Sequence, residues 1–229
     1  MLCGNRLAKR RSSRVLMAKN KLSRLFWLLP ALILTVSAQE VMERESLRFD
    51  SPFLLFLHAH SSPFFDPIML AFSLAGGLWT LAPTLALGLV LGQRNRKREA
   101  IFVAASWLGA GVLNVVTKEV FRRERPHFWP SLAPESDFGF PSGHAMLSLA
   151  LAGAVIILLW RGQISRSRKI LTTFLAALFV LGVGFSRLYL GVHFPSDVLA
   201  GWCFSLLWLG VSKRILSANL PFSQLALRN

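Results

Sequence analysis

Six apolar runs separated by short charged segments leave this chain few ways to fold. They cover 25–38, 67–92, 100–116, 144–160, 170–185 and 198–211. About 20 apolar residues cross the hydrocarbon of a bilayer as a helix. The first run is short, but residues 22 to 41 extend it if Arg24 snorkels to the interface. A hydrophobic share of 53% and a mean hydropathy of +0.49 are too high for an ordinary soluble enzyme. The expected fold is all-α, an integral membrane bundle of six helices. Pro52 to His60 (PFLLFLHAH) is apolar but too short to cross, and reads as an interfacial helix in the first extracytoplasmic loop. Gly76 and Gly77 allow close helix approach in the second run, where Pro83 is positioned to kink it. The division is then a basic tail over 1–24, one six-span domain over 25–216 and a short tail over 217–229. A secretory signal cleaved after Val36-Ser37-Ala38 is the rival reading of the N-terminus.

The net charge of +15 would suit nucleic acid, yet the cations sit in clusters between apolar runs, where no continuous basic face forms. Counted by alternate segment, 19 of the 26 Lys and Arg fall in 1–24, 93–99, 161–169 and the C-terminal segment. The other 7 share their side with ten of the eleven acids, so one face carries +18 and the other −3. The positive-inside rule puts both termini in the cytoplasm. Cys3 and Cys203 lie far apart, without the spacing of a disulfide framework or a zinc site.

Three polar stretches interrupt this pattern, all on the acidic side. Lys118 to Pro126 reads KEVFRRERP, Pro141 to His144 reads PSGH, and Ser186 to Asp197 reads SRLYLGVHFPSD. Three cations, two histidines, a carboxylate and a Ser-Gly turn suit phosphoryl transfer through a histidine nucleophile. His193 is the candidate nucleophile, because Asp197 can take the proton of one ring nitrogen and leave the other free to attack phosphorus. Pro195 suits the first turn of a helix and puts Asp197 near its N-terminus. His144 is the candidate general acid. It follows Ser142, a candidate N-cap, and Gly143, which admits the backbone to the phosphoryl oxygens. Lys118, Arg125 and Arg187 are candidate phosphate ligands. Arg122 and Arg123 read as headgroup or surface cations with a possible second-phosphate role, and His58, His60 and His127 as interfacial. Glu135 and Asp137 lie near His127 without diagnostic metal spacing, so neither a metal nor any other cofactor is expected.

The patterns K-x6-R-P, P-S-G-H and S-R-x5-H-x3-D resemble the type 2 phosphatidic acid phosphatase superfamily, which includes membrane lipid phosphatases and vanadium haloperoxidases. All eleven specified positions match, and the resemblance covers Lys118 to Asp197. It implies the same roles: His193 nucleophile, Asp197 its partner, His144 acid, and Lys118, Arg125, Ser142, Gly143 and Arg187 phosphate binders. The implied activity is metal-independent hydrolysis of a lipid phosphomonoester or diphosphate on the extracytoplasmic side. Undecaprenyl diphosphate, phosphatidylglycerophosphate and phosphatidate are the candidate substrates. A lipid phosphotransferase and a non-catalytic phospholipid-binding or transport protein are the alternatives, and the six spans disfavour a haloperoxidase. Expected partners are the substrate and membrane lipids, with no nucleic acid and no identifiable protein.

Overall fold

The computed structural model describes residues 27–43 and 47–217, and every regular element among them is helical. In hydrocarbon a helix satisfies its own backbone polar groups, so apolar runs bounded by charge become helices. The elements are α1 (Trp27–Met42), α2 (Asp50–Ala59), α3 (Asp66–Gly76), a 3-10 turn (Leu78–Thr80), α4 (Leu81–Gln93), α5 (Lys97–Phe121), α6 (Gly143–Arg161), α7 (Arg166–Tyr189) and α8 (Pro195–Ser217). Helices α5 to α8 are each long and apolar enough to cross a membrane, and α3 with α4 makes a fifth span if the bent pair is counted as one. The expected first span appears as α1, which falls short of spanning length within the described residues. The basic tail over 1–24, and the C-terminal tail beyond Ser217, lie outside the described residues.

Helix α6 packs against α5, α7 and α8. Between these helices Phe102, Val103, Ala154, Leu158 and Leu209 form a buried cluster. Hydrogen bonds also cross between helices; among them Ser205 Oγ donates to Met146 O at 2.7 Å and Trp208 Nε1 to Ala105 O at 2.9 Å. Each satisfies a polar group that apolar surroundings would otherwise penalise. On α7, Leu171, Phe174, Leu175 and Leu178 stay exposed at helical spacing, the stripe expected of a lipid-facing helix.

The second span does bend, by 52°, but not at Pro83 as expected. The break falls at Gly77, where a Cβ would lie 2.5 Å from His144 Nε2. Pro83 instead occupies the first turn of α4, where a backbone N–H has no intrahelical partner to lose. Thr80 stitches the break: its Oγ1 donates to Gly77 O and accepts from Trp107 Nε1, both at 2.7 Å.

Two expected boundaries also move. Lys118 belongs to the last turn of α5, and Ser186 and Arg187 to the last turns of α7, rather than to loops. Helical hydrogen bonding continues past the apolar run, and Ser186 Oγ donates back to Val183 O at 2.7 Å. The link between α7 and α8 thereby shrinks to residues 190–194. Helix α2, the segment read as interfacial, begins at Asp50 and packs against α7 and α8, with Leu54 and Leu57 beside Leu188 and Val198. The C-terminal ends of α5 and α7 and the N-terminal ends of α6 and α8 converge at one end of the bundle, which carries all three polar stretches.

Candidate active site

The side chains of the site sit at helix ends and in the two links beside them. Ser142 is the N-cap of α6, its Oγ accepting from Ala145 N at 3.5 Å, as the sequence led one to expect. Its own N–H donates to Asp197 O at 3.0 Å, locking the start of α6 to the start of α8. Gly143 makes a close approach to protein as well as leaving room for a ligand, since a Cβ there would lie 2.8 Å from Asn114 Oδ1. Pro195 opens α8, and Asp197 Oδ2 accepts the Phe194 N–H at 2.8 Å in the manner of a capping box.

The structure brings Lys118, Arg125, His144, Arg187 and His193 together around one point, and that point holds the carboxylate of Glu135. One Glu135 oxygen, Oε1, pairs with Arg187 Nη2 and lies 3.5 Å from His144 Nδ1. The other, Oε2, lies 2.6 Å from Arg125 Nη2 and 3.8 Å from His193 Nε2. Asp137 pairs with Lys118 and Arg125, and these two cations together outweigh burial to lower its pKa. Arg187 is 1% exposed; its Nη1 donates to Ser73 Oγ and its Nε has no partner.

His193 is fully buried in the 190–194 link. Arg125 Nη1 lies 3.1 Å from its Nε2. A guanidinium only donates, so Nε2 accepts and the ring proton sits on Nδ1. Nδ1 faces Asp197 Oδ2 at 3.5 Å. Burial first, then the charges of Arg125, Arg187 and Lys118, hold the ring's pKa well below 6.5 and keep it neutral.

Arg123 departs from its reading as a headgroup or surface cation. Its side chain is 9% exposed and pairs with Asp197 Oδ1 and with Asp50 Oδ2, the latter at 2.8 Å. Asp50 in turn accepts from Ser196 N at 3.0 Å and Ser196 Oγ at 2.5 Å. Arg122 takes the left-handed C-cap position of α5, φ 46°, and stays exposed, so the chain turns there and carries Arg123 inward. Asp50, Arg123, Glu135 and Asp137 are thus site residues that motif spacing missed. The signal for the last two was two acids lying between the cation stretches. His58 stacks on Trp129, with ring centroids 4.0 Å apart, and His60 bonds Phe56 O, so neither joins the anion site. Among the described residues no three His, Cys, Asp or Glu side chains form a set able to hold a metal ion.

Two cavities meet at Glu135. One, of about 250 Å³, is walled by Leu70, Leu74, Leu78 and Trp79 of the bent α3–α4 pair and ends on His144 and Arg187. The other, of about 410 Å³, runs under His127, Phe128 and Trp129 to Arg125.

Residues 99–221 match the family model of the PAP2 superfamily. The undecaprenyl-diphosphatase of Sulfolobus acidocaldarius is 30% identical over 77% of this chain and 84% of its own length. The phosphatidylglycerophosphatase B of Bacillus subtilis is 42% identical over 98 residues, which are 42% of this chain and 47% of that protein. The crystal structure of a transmembrane PAP2 type phosphatidylglycerolphosphate phosphatase from Bacillus subtilis superposes with a TM-score of 0.75. It shares 25% identity, over 86% of this chain and 98% of that one.

Proposed function

Because this chain belongs to the PAP2 superfamily, we propose that it is a membrane lipid phosphatase hydrolysing a lipid phosphomonoester or diphosphate through a phosphohistidine. The observation that carries the reading is convergence: His193 Nε2, His144 Nδ1, Arg125 and Arg187 all face the one point that a carboxylate fills. A phosphoryl group at that point has an attacking nitrogen and an acid beside it, with guanidinium forks to hold its oxygens.

In the first step His193 Nε2 forms a bond to phosphorus as the bond to the leaving oxygen breaks, and His144 protonates that oxygen. The Nδ1 proton of His193, facing Asp197, stays in place while the ring gains positive charge, which the buried carboxylate stabilises. In the second step water attacks phosphorus, His144 takes its proton, and His193 leaves with its electron pair. Lys118, Arg125 and Arg187 neutralise the non-bridging oxygens, with the first-turn amides of α6 after Ser142 and Gly143. This chemistry needs no metal, since cationic side chains supply the positive charge.

The wall of Leu70, Leu74, Leu78 and Trp79 suits the lipid chain of the substrate. Undecaprenyl diphosphate, phosphatidylglycerophosphate and phosphatidate are the substrates proposed, the first two in keeping with the names of the relatives. The charge asymmetry favours an extracytoplasmic site and cytoplasmic termini, with α2 lying at the interface above the bundle. The test is release of inorganic phosphate from a panel of these lipids by the purified protein in mixed micelles. Turnover of at least one that is lost in His193→Ala is expected; no turnover of any would refute the reading.

A further inference from the structure

Glu135 occupies the point where the proposed mechanism puts the phosphoryl group, and nothing in that mechanism uses it. Its two oxygens contact both arginines and approach both histidines. The reason for its presence lies in the empty site. Lys118, Arg125 and Arg187 are all less than a tenth exposed, and buried cations without counter-charge are strongly destabilising. Glu135 and Asp137 supply that counter-charge when no substrate is bound, leaving the site one positive charge in excess.

A phosphoryl group and Glu135 cannot share the point. We infer that Glu135 is an exchangeable counter-anion: it swings out of the phosphate position when substrate enters and returns as inorganic phosphate leaves. Each side of this equilibrium has an identifiable contribution in its favour. A phosphomonoester brings a second negative charge, which cancels the excess. It also brings a third non-bridging oxygen, and Arg187 Nε is a buried donor with no partner in the free site. The carboxylate answers with tethering. Residues 122–142 carry it between α5 and α6, so it competes at a high effective concentration without having to diffuse. Its position between the two cavities gives it somewhere to go, because Glu135 lines both the apolar pocket and the aromatic one. A carboxylate waiting beside the site supplies an intramolecular competitor to a phosphate dianion held by three cations. Glu135 is in this sense a residue of product release, and not a ligand of the substrate.

The inference rests on the phosphate site proposed above but not on turnover, and the test is chosen accordingly. Orthophosphate binding to the full chain in detergent is measured by titration calorimetry for wild type, Glu135→Gln and Glu135→Asp. Glu135→Gln removes the competing charge and is expected to bind orthophosphate about tenfold or more tightly, roughly 1.4 kcal/mol. Glu135→Asp keeps the charge on a shorter arm and is expected to gain by a smaller factor, which decides the matter if the Gln variant does not fold. The thermal midpoint without phosphate should fall in Glu135→Gln and recover on adding phosphate by more than in wild type, a pattern that general damage does not produce. In lipid turnover kcat and KM should fall together. Unchanged or weaker orthophosphate binding in both variants, or no binding by any form, overturns the proposal. Tighter binding in a protein that turns over no lipid phosphate would keep the counter-anion and sink the phosphatase.

Discussion

Arg123→Ala should unfold this protein more readily than loss of Lys118, Arg125 or Arg187 singly, although Arg123 stands outside the motif pattern. Its side chain is 9% exposed and its guanidinium pairs with Asp50 and Asp197, whose side chains are both fully buried. Truncation leaves two carboxylates in the interior with Ser196 and the Phe194 amide as their remaining donors. Removing one partner of a buried pair costs about 3–5 kcal/mol, mostly for the charge left behind. In a chain of this size that is a fall in thermal midpoint of about 6–20 °C. The assay is thermal unfolding of the purified protein in one detergent, followed by tryptophan fluorescence and circular dichroism. Asp50→Asn in the Arg123→Ala background makes the decisive comparison. With one orphaned charge removed, the double variant should lose distinctly less than the two single losses added together. The same variant tests function, because Asp197 that is no longer held by Arg123 orients His193 poorly, and kcat should fall more than KM changes. A stability within about 0.5 kcal/mol of wild type, the range of an inert surface substitution, would refute the reasoning. So would strict additivity in the cycle.

Other outcomes follow from the same geometry. His193→Ala should abolish turnover of every lipid phosphate while Asp197→Asn leaves a small residue, since only the first removes the attacking nitrogen; steady-state phosphate release distinguishes them. Gly77→Ala places a methyl where the His144 ring lies and should lower kcat about 10²-fold on phosphatidate, less on an aryl phosphate that leaves without protonation; equal losses on both would remove His144 from the acid role. Activity should persist in EDTA and be inhibited by vanadate, and dependence on added Mg²⁺ or Zn²⁺ would show that the cations of the site do not suffice. Single cysteines at Ser131 and Ser165 should label from opposite sides of intact cells, Ser131→Cys from outside; outside labelling of Ser165→Cys would invert the topology.

Sequence and structure part company chiefly where a contact joins distant segments. Spacing singled out Lys118, Arg125, Ser142, Gly143, His144, Arg187, His193 and Asp197, and the helix ends and the links beside them bring these residues to one end of the bundle. Apolar runs located α5 to α8 and the second span, because burial in lipid acts on composition over a full helix length. The bend was legible only as a bend. At Gly77 the backbone lies against the His144 ring with no room for a Cβ, a contact invisible to either segment alone.

The counter-charges were the least legible part, and the physics explains why. A motif records side chains that face a ligand, and their spacing along one helix end is fixed by where that ligand sits. The groups that neutralise those side chains in the free protein need only arrive from somewhere. Asp50 reaches Ser196 across 146 residues, and Glu135 and Asp137 hang on a loop whose length sets no register. Yet a cluster of buried cations cannot fold alone: with Lys118, Arg125, Arg187 and Arg123 all less than a tenth exposed, an acid for nearly every one of them was required somewhere in the chain. The acidic side of the charge count contained that information. Ten acids against seven cations on one face is an excess that a solvated surface does not need. At least four of those ten, Asp50, Glu135, Asp137 and Asp197, are spent inside the site. The acid excess on that side of the charge count is therefore, in part, the counter-charge of a buried cation cluster at rest.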